Sequence, residues 1–217
     1  MQARGQRRGG SNPSGWMPAT DDEIREKYLE RAIREMNLLA RELQECSYCP
    51  RGNLMPVLGS GHPQADIFLL KFAPKPSEIE EGVAFYGRAG TAIMKSLRRL
   101  DIDPLLVYGT LCVKCPVADT SLAGPECIAR LIEELAIVQP KIVVVMGPDA
   151  LDTLNELALP LARELQMLPG EVQPLTPSIE ALYTPAIDDA LDEESAKREF
   201  WRAFRALGTW YADFPPY

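Results

Sequence analysis

Four of the five cysteines in this chain have a spacing that can do chemistry. Cys46 and Cys49 flank Ser47-Tyr48 as a close Cys-x-x-Cys pair. Cys115 lies far downstream in Val113-Lys114-Cys115-Pro116, and Cys127 comes after it. A close pair can grip one metal centre from two sides, and the two distant members complete the set only if the fold brings them back. A single zinc ion and a 4Fe–4S cube both accept four thiolates. Free cysteines can also be small buried apolar residues. Disulfides fit poorly, because no signal peptide precedes them and the chain is not a short secreted one. A zinc ribbon wants two knuckles roughly 15–20 residues apart. Cys112-Val113-Lys114-Cys115 is a formal second knuckle far outside that window, so zinc stands as the alternative to an iron–sulfur centre.

Positioning such distant ligands requires a real core, and 217 residues are enough for one domain with appendages. Hydrophobic residues at 46% and charged residues at 25% are ordinary for a globular protein. No apolar run approaches the roughly 18–20 residues of a membrane span, which points to a cytoplasmic protein without a membrane partner. The net charge of -8 opposes general affinity for polyanions, since phosphate binding relies on Lys and Arg.

Residues 1–19 read as a disordered basic arm with Arg4, Arg7 and Arg8 and no apolar periodicity. Thr20-Asp21-Asp22-Glu23 is a capping box that opens a helix over 20–45. Ile24, Tyr28, Ala32, Met36 and Leu39 recur on one face of it, and it delivers the first cysteine pair. Residues 46–210 form the main domain, and 211–217 a tail. Within the domain, Asp66–Leu70, Leu105–Tyr108, Ile142–Met146 and Ala181–Tyr183 read as strands. Helices are expected over Thr91–Leu100, through Cys127–Ile132, after Gly147-Pro148-Asp149, and over Glu194–Leu207. This alternation predicts an α/β fold, a three-layer α/β/α sandwich with a mainly parallel four-stranded sheet. Ligands in such folds bind beyond the carboxyl ends of the strands.

The segments following those strands resemble the uracil-DNA glycosylase superfamily, most of all its iron–sulfur family 4. Ala65-Asp66-Ile67, Ala73-Pro74, Gly82, Phe85 and Gly87-Arg88-Ala89-Gly90 follow the family's first motif. Val113-Lys114-Cys115-Pro116 is similar to its third cysteine segment, and Pro140 through Ala150 to its central strand and turn. The resemblance covers about Cys46 to Leu207, with Cys127 a few residues earlier than usual. It implies a uracil-DNA glycosylase-like fold, a structural 4Fe–4S cluster on Cys46, Cys49, Cys115 and Cys127, and a role in DNA base-excision repair. It also implies a pocket of Lys71, Phe72, Ala73, Pro74, Phe85, Leu111 and Thr184, in which Phe85 stacks on an extruded base. The alternative for Phe85 is a plain core aromatic.

The departures from the family motifs fall on the catalytic positions. Where the family has Gly-Glu-Ala-Pro-Gly, this chain has Lys71-Phe72-Ala73-Pro74-Lys75, so Phe72 replaces the water-activating Glu. Leu111 stands at the position of the uracil-reading Asn, although an amide's donor and acceptor are what read a pyrimidine edge. Thr184 stands where the family has the His of His-Pro, and the single histidine, His62, lies in a loop before the first strand. These losses predict that uracil excision is lost or altered, since each missing group costs ~10²–10³ in rate. Alternatives are a glycosylase of changed specificity using a recruited carboxylate (Glu78, Glu80 or Glu81), or a non-catalytic interaction module with a protein partner. Asp188, Asp189, Asp192, Glu193 and Glu194 sit where the family loop approaches DNA, so DNA binding is expected to be weakened. Lys71 and Lys75 are new positive charges in the crevice, available for an anion.

Overall fold

A computed structural model describes residues 20–213; the expected arm over 1–19 and the end of the expected tail lie outside them. Helix α1 (Asp21–Glu45) begins at the expected capping box: the Thr20 hydroxyl accepts the Glu23 N–H, and the Glu23 carboxylate accepts the Thr20 N–H at 2.9 Å. It ends where Cys46 turns extended. Ala32, Leu39 and Leu43 are its buried residues, whereas Ile24 and Tyr28 stay exposed, so the first turns stand clear of the domain. The later turns dock on α4 (Pro125–Val138), helped by Glu42 and Arg130 at 2.6 Å.

Four strands form the parallel centre of the sheet: β2 (Ile67–Lys71), β3 (Val107–Leu111), β4 (Ile142–Met146) and β6 (Glu180–Thr184). Every residue of β2, β3 and β4 is buried, the pattern of strands covered on both faces. Burying side chains such as Ile142 and Val144 contributes about 1.5–3 kcal/mol each. The sheet has six strands rather than the expected four, in the order β1-β3-β2-β4-β6-β5. The extra edges, β1 (Ser60–Gly61) and β5 (Val172–Pro174), are antiparallel and too short to show an alternating pattern. Leu105 and Leu106, expected in a strand, form a 3₁₀ turn with Pro104; Asp103 caps it by accepting the Leu105 N–H at 2.9 Å.

Alternate strand residues face two separate apolar clusters. Ile67, Leu69, Val107, Leu111, Ile142, Val144, Met146 and Leu182 pack with α3 (Arg88–Arg99), α6 (Ile187–Asp192) and α7 (Glu194–Ala212). Phe68, Leu70, Tyr108, Val143, Val145, Ala181 and Tyr183 pack with α4 and α5 (Pro148–Glu156). These are the three expected layers. Helix α2 (Pro76–Glu81) and α6 went unpredicted, because six residues are too few to display helical periodicity.

The chain leaves β2 toward β3 on one side and β4 toward β6 on the other. The order therefore reverses between β2 and β4, where such sheets open a crevice. A cavity of about 200 Å³ lies there, lined by Lys71, Phe72, Ala73, Met146, Gly147 and Asp188 among others.

Candidate functional site

Lys71, Leu111, Met146 and Thr184 are register partners at the carboxyl ends of the four parallel strands. They form one row on the face that carries α3, α6 and α7. Lys71 is 3% exposed, and a charge taken so far from water needs partners. It has two. Its ammonium lies 2.7 Å from Glu78 Oε2 and 3.0 Å from Asp188 Oδ2. The resulting group of one cation and two carboxylates is net negative, so Lys71 adds no net positive charge to attract an external anion, although it still lines the strand-end cavity.

Glu78 is itself 1% exposed. Besides Lys71 it accepts the backbone N–H of Lys75 at 2.8 Å, capping α2, and the backbone N–H of Phe85. Both of its oxygens are thus engaged, by three donors in all, while Glu80 and Glu81 lie exposed on α2. Asp188 is less enclosed, with its side chain 20% accessible at the start of α6.

Phe85 is held in an unusual conformation by contacts on several sides. Its φ of 61° is a left-handed value that few non-glycine residues adopt. Glu78 holds its N–H in that conformation. Gly109 lies directly under the ring, where a Cβ would come within 2.7 Å of Phe85 Cδ2. At Gly90 a Cβ would collide with the Phe85 carbonyl oxygen. The Lys71 ammonium sits 5.6 Å from the ring centroid, a cation–π distance. On the far side of Phe85, an apolar cavity of about 540 Å³ runs between α3 and the β1–β3 edge.

The other expected pocket residues divide. Leu111 is fully buried in the α3–α7 core. Thr184 is also fully buried, and its hydroxyl donates to the Pro185 carbonyl at 3.1 Å. Phe72, one residue beyond Lys71, packs on the opposite side, against the α4–α5 cluster and the cysteines. Lys71, Phe85, Leu111 and Thr184 therefore share a face that Phe72 does not, since successive side chains alternate at a strand end. Ala73 also packs beside the cysteines, and Pro74 is half-buried in the same turn. His62 lies in the loop after β1, its Nδ1 accepting the Gln64 N–H at 3.2 Å. In the acidic segment, which forms helix α6, Asp188 turns inward to meet Lys71, whereas Asp192 pairs with Arg88 at 3.0 Å on the surface.

Cys49, Cys115 and Cys127 converge. All three are buried, and their sulfur atoms lie within 4.8 Å of one another. Cys115 donates to Cys127, which raises the Cys115 thiol and pulls Cys127 down to about 5. Three buried sulfurs this close together can all serve as thiolate donors to a soft metal or an iron–sulfur cluster, so the residues fit the group that the sequence implies. Cys46, at the end of α1 and half-buried, stands outside this trio. Cys112 belongs to the α4–α5 core instead, and burial pushes its thiol up to about 12.

A second buried ion pair backs the cysteines. Lys114, fully buried, donates to the Leu111 carbonyl at 2.7 Å and meets Glu134 Oε2 at 2.9 Å. Thr110 and Tyr108 also donate to Glu134. Cys127 and Glu134 are two turns apart on one face of α4, so the thiol contact and the ion pair tie the same two segments together. Sequence reading missed the Lys71 and Lys114 pairs. For Lys71 the available signal was a charged residue directly after the apolar run Ile67–Leu70; Lys114, three residues beyond β3, carried no such signal.

Comparison with known proteins agrees with this geometry. The profile of the uracil DNA glycosylase superfamily matches residues 58–207. The type-4 uracil-DNA glycosylase of Pyrobaculum aerophilum is 28% identical over 145 residues, covering 63% of this chain and 73% of that protein. That of Saccharolobus solfataricus is 26% identical over 186 residues, covering 75% and 84%. That of Sulfurisphaera tokodaii is 32% identical over 123 residues, covering 50% and 53%. With the strand-end crevice, the cysteine trio and the three-layer sheet in place, the chain belongs to the uracil-DNA glycosylase superfamily, alongside relatives of type 4.

Proposed function

We propose that this is an iron–sulfur DNA-repair protein of the glycosylase type in which uracil excision has been lost. The observation that carries this reading is the Lys71 ammonium, 5.6 Å from the centre of the Phe85 ring. In the family motif the Lys71 position is a glycine, and the ring at the Phe85 position stacks on the extruded base. A lysine built there fills the space the base requires and is anchored by two carboxylates. The row beside it offers Leu111 and Thr184, both fully buried, in place of an amide reader and a histidine. A base entering this slot would have to displace a paired cation and would meet no edge-reading groups.

Recruitment of a neighbouring carboxylate is the weaker reading. Glu78 is spent on three donors, and Glu80 and Glu81 are exposed on α2. For the metal, Cys49, Cys115 and Cys127 would hold a 4Fe–4S cluster, with Cys46 supplied from the end of α1 as the fourth thiolate. When bound, that group is a structural clamp joining α1, the segment after β3 and α4.

The test is incubation of the metal-loaded protein with single-stranded and duplex oligonucleotides carrying uracil, hypoxanthine or xanthine. No release of uracil is expected from either substrate. Release of hypoxanthine or xanthine without uracil would point to changed specificity, and uracil release would overturn the proposal.

A further inference from the structure

We propose that Lys71 is an amine nucleophile toward the ring-opened aldehyde of a base-free deoxyribose, so that the crevice acts on abasic sites in DNA. The inference rests on the DNA-directed reading above and adds a substrate and a chemistry to it. A lysine over the Phe85 ring excludes a base, but a sugar that has already lost its base needs no base slot. The slot over the Phe85 ring then presents a primary amine instead of a base.

Lys71 and Lys114 are the buried lysines among the described residues, and they are placed differently. Lys114 is sealed between the Leu111 carbonyl and Glu134. Lys71 lines the strand-end cavity of about 200 Å³, with Gly147 and Ala186 across from it. Its two carboxylates are not equivalent. Glu78 is enclosed and holds two backbone N–H groups in addition to the lysine. Asp188 approaches from the cavity side and is a fifth exposed. Glu78 therefore positions the amine, and Asp188 is placed to move protons.

The steps balance without an added oxidant or reductant. The ammonium passes a proton across 3.0 Å to Asp188 Oδ2, and the freed lone pair forms a carbon–nitrogen bond at the aldehyde carbon. Asp188 returns the proton to the resulting hydroxyl, which leaves as water and gives a protonated imine. The adjacent sugar carbon then loses a proton to Asp188. Its electron pair becomes a carbon–carbon double bond as the bond to the downstream phosphate oxygen breaks, and the phosphate departs with that bond's electrons. Water hydrolyses the imine and restores Lys71.

The experiment uses the full chain and a labelled oligonucleotide with a preformed abasic site, treated with or without borohydride. Binding of the oligonucleotide is measured in parallel by fluorescence anisotropy. Wild type is expected to give a borohydride-stabilised covalent adduct, and a nick on the downstream side of the site when borohydride is left out. Mass spectrometry of the digested wild-type adduct should place the sugar on Lys71, a result that does not depend on any variant folding. Lys71→Gln and Lys71→Arg should lose adduct and nick together, while Lys27→Gln on the exposed side of α1 keeps both. An adduct mapped to another lysine, an undiminished adduct in Lys71→Gln, or binding without adduct overturns the inference. No binding at all overturns the DNA-directed reading as well. Because the substrate already lacks its base, the result is independent of whether uracil can be excised.

Discussion

Lys71, at the end of a strand whose every residue is buried, cannot keep its charge in water, so the protein supplies Glu78 and Asp188. Glu78 also fixes the backbone of Phe85 and caps α2. Replacing Glu78 by Ala therefore removes one of two counter-charges and frees two buried donors. Urea unfolding should record a loss of about 3–5 kcal/mol, the range for breaking a buried pair. A loss under ~1 kcal/mol, typical of an exposed pair, would show that the group is solvated. Cys112 gives a prediction in pH. Burial raises its thiol from 9.0 in the open chain to about 12 in the fold. Its contribution is intact below pH 9 and falls as pH rises toward 12, because the unfolded chain gives up its proton first. Stability should drop by up to ~1.4 kcal/mol per pH unit in that window from this group alone. Cys112→Ala should flatten the slope in alkaline urea melts, leaving the part due to Tyr108, which burial and Glu134 also raise. Leu111 and Thr184 share one strand-end row, but Phe72, expected beside them, packs on the opposite side, and the Lys71 pairs were not foreseen. Asp188 is 117 positions from Lys71, and only the fold reveals that an acidic residue in a surface-looking loop points inward.

At the scale of elements, the cysteine pocket depends on how the segment after β3 is fastened to α4. Lys114 precedes Cys115 of the trio, and Glu134 lies on the α4 face that carries Cys127. Glu134→Gln strips a counter-charge from a fully buried lysine and should cost roughly 3–5 kcal/mol in thermal or urea unfolding, with looser metal binding. The apolar pair Lys114→Met with Glu134→Leu should be much milder, since no orphan charge is left. Equal losses for the two variants would contradict the account. The central strands and the capping box of α1 were readable, because apolar runs and a Thr-x-x-Glu motif are local signals. The edge strands and α2 were not, being set by the sheet and by Glu78 rather than by their own periodicity. The start of α1 misled in the opposite direction: Ile24 and Tyr28 have the right spacing yet meet nothing that buries them.

Across the whole molecule, thiols from three distant segments meet in one buried trio, and binding energy gained there is folding energy. Protein purified without oxygen should be brown and contain iron. Replacing Cys49, Cys115 or Cys127 by Ala should bleach it and lower its melting temperature, whereas Cys112→Ala should leave the colour unchanged. Stoichiometric zinc without iron would contradict the iron–sulfur assignment. The crevice draws its residues from the ends of β2 and β4, the starts of α5 and α6 and the turns between them, so its chemistry belongs to the fold as a whole. The proposed closure of the base slot by Lys71 over Phe85 governs whether a base can enter the crevice at all. Its most direct test is single-turnover release of uracil from a labelled single-stranded oligonucleotide, with metal-loaded protein in excess over substrate. A closed slot gives no release above a protein-free control over hours; time-dependent release by the unmodified chain would show that the slot is open.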